Sequence, residues 1–381
     1  MSSILIATGN LAGPGGSETY VLTIAEHLAR LGHIVTLFVR CAGETADLAE
    51  AMGIPVIQQP SALPGTVDAV FSLDREFALM LSVRYPQAVR IFIMHNVEEA
   101  YLPPPVAGCT HATVALNDRH ERRALAAEGA GRVVRLRQPI DTQRFSPRKP
   151  ISAKPLRVAL LGNYGGLPGQ HQQRLREAWG ADIDWVEIGG ASSTTDVPNA
   201  IANVDVVVGY GRSIMEAMSC ERAGYVFEHV GSSGWVTAAT YDAMERDGFS
   251  GLGVRDPVDV SHLRKDLERY STDLGWQGRE LMRRHHDARG HADDLLGIVS
   301  AITPGPVLLR DPELQALLSL IRLNLLLSEV ARGRVVEAQL LAKFNSEHIQ
   351  TITAIYSSRR YRAGTLLASP LDWLRRTVRR D

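Results

Sequence analysis

Residues 205–228, DVVVGYGRSIMEAMSCERAGYVFE, form the stretch that decides the fold. The apolar, β-branched run over residues 204–208 is typical of a strand that is covered on both faces in a parallel sheet. Gly209-Tyr210-Gly211 ends the run, and its two glycines let the backbone turn tightly and let a ligand approach the N–H groups. The stretch therefore predicts a strand, a turn that faces a ligand, and a helix within an α/β sheet.

The helix after this turn allows two interpretations of Glu216. Ser213 and Glu216 have the S-x-x-E spacing of a capping box, in which Ser213 is the N-cap and Glu216 bonds back to its amide. In the second interpretation Glu216 binds a ligand that lies against the turn. The spacing alone leaves both open.

Length and composition describe a globular protein with more than one core. A chain of 381 residues is long enough for two α/β domains. The net charge of −1, with 22% charged and 45% hydrophobic residues, gives no basic excess that would favour nucleic acid. Cys41, Cys109 and Cys220 are widely separated and have no metal-ligand spacing, so we expect reduced thiols in a cytoplasmic protein. No segment approaches the roughly 18 apolar residues of a transmembrane helix.

The N-terminal region reads as a βαβ unit. Residues 4–8 and 33–39 are predicted strands, and residues 20–31 between them have the spacing of an amphipathic helix. MSSILIATGN lacks a basic region and is therefore predicted to be a strand rather than a signal peptide. The glycine turn is G-P-G-G rather than G-x-G-x-x-G, and Arg40 replaces the acid after the second strand. Both departures disfavour a nicotinamide or flavin enzyme.

A family resemblance begins in the central stretch. GYGRSIMEAMSCERAGYVF resembles the donor site of retaining GT-B glycosyltransferases of the GT4-like family (glycosyl transferase group 1), whose pattern is roughly E-G-F-G-x-x-x-x-E-A-M-A-C-G-x-P-V. The resemblance implies that the glycine loop and the helix start face the sugar and diphosphate of a nucleotide sugar, and that Glu216 holds the ribose. It assigns to the donor Gly209, Tyr210, Gly211, Arg212, Ser213 and Glu216. Val208 stands where the family has its first Glu, and Glu221 where it usually has Gly.

Two further segments resemble the first domain of that family. GGSETYVLTIAEHLARLGHIVTLF is similar to its first βαβ unit, which implies that Gly15 and Gly16 border the cleft where donor phosphate and acceptor meet. His95 follows the predicted strand over residues 90–94, where the family often has a cleft histidine near the donor sugar. A lone histidine is usually structural, as we expect for His111. We nevertheless take His95 as the candidate catalytic residue.

The resemblance continues through the middle of the chain. RLRQPIDTQRFSP resembles the family's N-G-I-D-x-x-x-F crossover, with Gln138-Pro139 in place of Asn-Gly. After the next predicted strand, which begins at Leu156, the family usually has an Arg and a Lys that bind the diphosphate. Here Asn163 takes the position of the Arg, and the segment GNYGGLPGQHQ contains no Lys. The phosphate charge would then fall to helix N-termini, to Arg212 or to a residue such as His171.

These segments predict the domain organisation. We expect a Rossmann-like acceptor-side domain over residues 1–145, a linker over 146–155, a nucleotide-sugar-binding Rossmann-like domain over 156–300 and a helical extension over 301–381. HVGSSGWVTAATYDAM is predicted to form a second glycine turn leading into a helix. The last 24 residues carry seven Arg against two Asp beside Trp373, which is a composition suited to an interfacial helix or to the last helix of the fold.

The implied function is sugar transfer in a GT-B fold, with two Rossmann-like domains facing across a cleft. The chain lacks H-E-x-x-H, Walker and G-x-S-x-G motifs, so we expect neither a metal nor another cofactor. The expected partners are a nucleotide sugar, an acceptor that is lipid-linked or a polysaccharide, and the inner face of the cell membrane. Two alternatives stay open. One is an epimerase or phosphorylase of GT-B fold. The other is a non-catalytic binding subunit, which is favoured by Val208 and Asn163 in place of the family's Glu and Arg.

Overall fold

The computed structural model describes residues 1–95, 108–127, 129–161, 169–189, 194, 196–228, 231–252 and 259–305. Asn163 and the basic C-terminal segment lie outside these ranges, as does the side chain of His171. Within them, no helix is both long and apolar enough to cross a membrane.

The first half of the described chain builds a parallel sheet of seven strands in the order β3-β2-β1-β4-β5-β6-β7. The strands are β1 (Ser3–Leu11), β2 (Ile34–Ala42), β3 (Val56–Ile57), β4 (Ala69–Ser72), β5 (Val89–Met94), β6 (Ala112–Ala115) and β7 (Arg132–Arg135). The helices are α1 (Gly16–Arg30), α2 (Glu44–Ala51), α3 (Arg75–Arg84) and α4 (Asp118–Leu125). Apolar clusters lie on both faces of β1 and β4, as the continuous apolar strands require.

The second half builds a sheet of five strands in the order β12-β11-β10-β8-β9. The strands are β8 (Arg157–Leu161), β9 (Asp184–Ile188), β10 (Val206–Gly209), β11 (Ala223–Glu228) and β12 (Gly231–Trp235). The helices are α5 (Gly169–Trp179), α6 (Val197–Ala202), α7 (Arg212–Ser219), α8 (Tyr241–Arg246), α9 (Val260–Glu268) and α10 (Asp273–His285). The strand, turn and helix predicted from the central stretch are therefore β10, Tyr210 with its flanking glycines, and α7.

The chain crosses between the two sheets twice. Ile140 leads from the first sheet toward the second, and it bridges Asp287 at the return crossing, where Ala288 N donates to Ile140 O over 3.1 Å. The helix α11 (Ala288–Ser300) then packs its apolar face, which includes Leu295, into the core of the first sheet. The prediction assigned residues 156–300 to the second domain, whereas by packing α11 lies with the first.

Two local expectations differ from the structure. The first helix begins at Gly16 rather than at residue 20, because the Gly15 carbonyl accepts the amide of Thr19 over 2.9 Å. The predicted glycine turn after β11 is instead β12, which pairs antiparallel with β11. Its small residues give little strand signal, and the pairing comes from the backbone.

The end of α7 explains Glu221. Glu221 N donates to Met218 O over 3.0 Å and Arg222 N to Ala217 O over 2.9 Å, which is the hydrogen-bond pattern of a Schellman motif. That motif needs a left-handed residue, and Glu221 has φ of +57°. A Cβ at Gly275 would collide with the Glu221 carbonyl, so α10 passes close to this helix end. The position at which the family usually has glycine is therefore the residue that ends α7, and here Glu221 occupies it.

We expect Glu221→Gly to raise the free energy of unfolding by about 0.5–1 kcal/mol, because glycine adopts the left-handed conformation without the strain of a side chain. Glu280→Gly is the matched control. Glu280 lies within α10 and is half exposed, so the same change of residue should there lower stability by about 0.5–1 kcal/mol. Urea denaturation of both variants measures the difference, and equal signs would contradict the assignment.

Candidate functional site

A pocket of about 290 Å³ lies between the two sheets, at the carboxyl ends of their strands. Residues from both halves line it: Pro14, Gly15, Gly16, Thr19, Leu22, Thr45, Leu48, Arg144, Phe145, Leu161, Ile188, Gly189, Thr194, Val197, Tyr210, Gly211, Arg212, Ser213 and Glu216. The structure thus brings Gly15 and Gly16 together with five of the predicted donor residues. Carboxyl ends of parallel strands are where α/β proteins bind their ligands.

A second cavity of about 520 Å³ contains none of the predicted site residues. Two of its carboxylates pair with Arg135, whose Nη2 lies 2.8 Å from Glu245 Oε1 and whose Nε lies 3.5 Å from Asp118 Oδ1. We therefore take the smaller pocket as the candidate site.

Two glycines open the wall of the pocket at the start of α1. A Cβ on Gly15 would meet the carboxylate of Glu18, the end of a flexible side chain that would have to move aside. A Cβ on Gly16 would meet no atom within 4 Å and would point into open space. The first turn of α1, with its unsatisfied amides, is consequently accessible to a ligand.

The turn before α7 is shaped by Gly211. This residue is the N-cap and has φ of +60°, which glycine adopts readily. Its amide donates to Phe249 O over 2.7 Å and is thereby occupied. Ser213 Oγ donates to Tyr210 O over 2.7 Å, and no side chain caps the helix. The capping-box interpretation of Ser213 and Glu216 is therefore wrong. The side chain of Tyr210 is 39% exposed and lines the pocket.

Glu216 instead pairs with Arg212, one helical turn before it. Arg212 Nε donates to Glu216 Oε1 over 2.9 Å, and both side chains are buried. Burial lowers the pKa of Arg212, and the Glu216 carboxylate opposes that shift. Burial likewise raises the pKa of Glu216, against the opposing charge of Arg212. The two charges compensate each other in a site that water barely reaches.

The Arg212 guanidinium also connects the two sheets. Its Nη1 donates to Pro139 O over 2.9 Å, in the crossover, and its Nη2 donates to Thr23 Oγ1 over 3.2 Å, on α1. Helix α7, the crossover and α1 are therefore held together at the floor of the pocket.

Sequence reasoning missed Arg144, which lies in the crossover and lines the pocket. Asp141 holds the backbone there, because its Oδ1 accepts the amides of Gln143 over 3.0 Å and Arg144 over 2.9 Å. Burial by itself would raise the pKa of Asp141, but hydrogen bonds from His27, Arg144 and Gln143 hold it below its usual value. The signal in the sequence was the D-x-x-R spacing of a turn in which the Asp carboxylate bonds the following amides.

His95 does not line the pocket. Its ring is half-buried and packs edge-on against Tyr20, with centroids 4.6 Å apart. Burial lowers the pKa of His95 to about 3, helped by His120, Arg212 and His291, so the ring is neutral at physiological pH. Its Nε2 has no hydrogen-bond partner among the residues that the structure describes. Its catalytic role stays a prediction.

Comparisons with known proteins identify solved structures with a similar fold. No protein-family model matches the chain, and no curated protein matches its sequence. The solved structure of HepE from Anabaena with UDP and glucose is similar, with a TM-score of 0.55 at 13% identity over 79% of this chain and 100% of that one. Sucrose-phosphate synthase from Thermosynechococcus elongatus has a TM-score of 0.54 at 12% identity over 79% of this chain and 99% of its own. WaaG, a glycosyltransferase involved in lipopolysaccharide biosynthesis, has a TM-score of 0.52 at 13% identity over 78% of this chain and 100% of its own.

The present chain shares the fold of these structures, the GT-B fold, in which two Rossmann-like sheets face one another. The predicted fold class is confirmed.

We expect Glu216→Ala to lower the free energy of unfolding by about 3–5 kcal/mol, because it leaves the buried Arg212 charge without its carboxylate. The double variant Arg212→Met/Glu216→Leu removes both charges and should recover at least about 2 kcal/mol. Glu26→Ala is the control: its i,i+4 partner Arg30 is 53% exposed, so the loss should stay below about 1 kcal/mol. Chemical denaturation of the variants measures these values. A double variant less stable than Glu216→Ala would show that the pair is not the source of the loss.

Proposed function

We propose that the protein transfers a sugar from a nucleotide diphosphate sugar to an acceptor hydroxyl in the pocket between its two sheets. The observation that carries the proposal is the meeting of the α1 glycines with the stretch from Tyr210 to Glu216 in one pocket. HepE, which has a similar fold, has been solved with UDP and with UDP-glucose. The sequence resemblance to the GT4-like family assigns the same stretch to the donor.

The proposed donor site uses Glu216 for the ribose. Its Oε1 is engaged by Arg212, while Oε2 has no hydrogen-bond donor among the described residues and is available to ribose hydroxyls. The starts of α1 and α7 present partial positive charge to the diphosphate. As the diphosphate departs, negative charge builds on its oxygens, and each well-placed donor that stabilises it is worth roughly 10²–10³ in rate.

The retaining course follows from the family resemblance. In that mechanism the leaving phosphate oxygen accepts the proton of the acceptor hydroxyl on the face from which it departs. The neutral His95 would act near the donor sugar as a hydrogen-bonding group rather than as a cation. We propose a hexose as the transferred sugar and a metal-independent reaction.

A non-catalytic nucleotide-sugar-binding protein is the second candidate. Val208 stands where the family has its first Glu, and it is fully buried in the apolar cluster between β10 and its neighbours. This position therefore offers no carboxylate to the sugar hydroxyls. An epimerase needs further carboxylates in the pocket, and Glu216 is the one carboxylate among the lining residues that the structure describes.

Release of nucleoside diphosphate from a panel of nucleotide sugars, with and without candidate acceptors, tests the proposal. We expect turnover in EDTA, and at least about tenfold slower turnover for Gly16→Val, whose side chain would fill the pocket at the start of α1. Gly13→Val is the control, because Gly13 also has open space around a Cβ and does not line the pocket. Donor binding without turnover would favour the second candidate, and activity that is lost in EDTA and restored by Mn²⁺ would contradict the mechanism.

We further propose that the enzyme works in the cytoplasm at the inner face of the membrane, on a lipid-linked or polysaccharide acceptor of the cell envelope. The support is the basic segment from Ser358, with seven Arg beside Trp373. Attraction to anionic lipid amounts to about 1 kcal/mol per basic residue near the surface and weakens with salt.

Liposome co-sedimentation checks this membrane proposal. We expect the full chain to bind vesicles with anionic lipid at low salt, and a full-length variant with Arg375, Arg376, Arg379 and Arg380 replaced by Gln to bind several-fold less. Neutral vesicles are the control. Equal sedimentation of both proteins with anionic vesicles would exclude the role.

A further inference from the structure

Among the lining residues that the structure describes, the side-chain charges leave one cation in excess. Among the described lining residues, the ionisable side chains with a charge are Arg144, Arg212 and Glu216. Arg212 and Glu216 form a hydrogen-bonded pair and compensate each other. Arg144 therefore supplies the surplus positive charge in this part of the wall.

Arg212 is committed to the protein. Its Nε, Nη1 and Nη2 donate to Glu216, Pro139 O and Thr23 Oγ1, and its side chain is 7% exposed. Turning this guanidinium toward a ligand would break the contacts that join α7 to the crossover and to α1. It would also leave the carboxylate of Glu216 buried without its partner, at a cost of several kcal/mol.

Arg144 has the opposite character. Its side chain is exposed, and no described residue accepts a hydrogen bond from its guanidinium or forms an ion pair with it. Its charge nevertheless reaches the pair on α7, because it opposes the rise in the pKa of Glu216 that burial causes. Among the described residues the guanidinium therefore has no counter-ion, and it lines the same pocket as Glu216.

The backbone that carries Arg144 is fixed on both sides. The Asp141 carboxylate accepts the amide of Arg144, and Phe145 O accepts Ser219 Oγ over 2.7 Å and Arg279 Nη1 over 2.8 Å. A side chain that starts from a fixed backbone loses less freedom when it binds a ligand. The structure thus fixes the backbone that carries Arg144 at the pocket.

The surroundings indicate which ligand this arginine suits. The starts of α1, at Gly16, and of α7, at Arg212, line the same pocket. Two helix N-termini and a guanidinium together favour a ligand with more than one negative charge, and the planar fork of arginine matches two phosphate oxygens.

We propose that Arg144 binds the diphosphate of the nucleotide sugar, an assignment that rests on the proposed function. The crossover, rather than the loop after β8, would then provide the charged side chain that holds the leaving group. Arg144 is on this view a donor-binding residue that also stabilises the departing diphosphate.

Calorimetric titration of the full-length protein with UDP, and with ADP and GDP in parallel, tests the assignment. For whichever diphosphate binds, we expect Arg144→Gln to weaken binding by about tenfold to a hundredfold, as for loss of a charge-assisted hydrogen bond. The corresponding nucleoside monophosphate should be affected less. Because salt screens charge, raising the KCl concentration should weaken diphosphate binding less in Arg144→Gln than in the wild type.

Arg148→Gln is the matched control. Arg148 lies four residues further along the crossover, donates to Asn199 Oδ1 over 2.8 Å, and does not line the pocket. Its diphosphate affinity should stay within about twofold of the wild type, and Arg144→Lys should recover part of the loss because it keeps the charge but not the fork. Glu216→Gln provides a comparison, since loss of a ribose contact should weaken monophosphate and diphosphate binding alike.

The outcomes separate the two proposals. Unchanged diphosphate affinity in Arg144→Gln, or equal losses in Arg144→Gln and Arg148→Gln, overturns the role of Arg144 while wild-type binding supports the proposed function. Failure of the wild type to bind any of the three diphosphates, or to release one from the nucleotide sugars, overturns the proposed function itself. Thermal melts of each variant show whether a loss of affinity comes from unfolding.

Discussion

The guanidinium of Arg212 is the constraint on which the arrangement of the site depends. It is buried between the two sheets, and it bonds to α7 through Glu216, to the crossover through Pro139 and to α1 through Thr23. A buried charge is tolerated only when it is paired and its hydrogen bonds are satisfied, so these three contacts are mutually dependent. Because each lies in a different segment, the requirements of one side chain set the relative positions of the segments that form the pocket.

Much of the fold could be predicted from the sequence, for a physical reason. Strands buried on both faces need unbroken apolar runs, as in β5 and β10, and such runs are visible without any tertiary information. The strand β12 has the sequence GSSGW, and its pairing depends on the neighbouring β11 rather than on its own side chains. Likewise, α11 packs on the first sheet, whose strands lie far before it in the sequence, so the residues of α11 do not by themselves reveal this contact.

The site was predictable to a smaller extent. Glycines at a strand end indicate a turn, as at Gly211, and the resemblance to the GT4-like family assigned Gly15 and Gly16 to the cleft. The role of Glu216 could not be decided from spacing, because both a cap and a ligand contact suit the same position. Glu216 pairs with Arg212, and the guanidinium of Arg212 is held in place by Thr23 and Pro139, which are distant in sequence. For Arg144 the D-x-x-R spacing indicates only a turn, since an exposed arginine becomes informative about a ligand only when its neighbours are known.

The return of α11 has a consequence for synthesis of the chain. Tyr20 on α1 bonds His291 on α11 over 2.9 Å, and Leu295 belongs to the core of the first sheet. During translation this core cannot be completed until α11, near the end of the described residues, has left the ribosome. The second sheet, by contrast, is built from one continuous stretch, β8 to α10. The second domain, although it is synthesised later, can therefore finish folding before the first. The apolar surface of the first domain that α11 covers stays exposed for most of the synthesis of the chain.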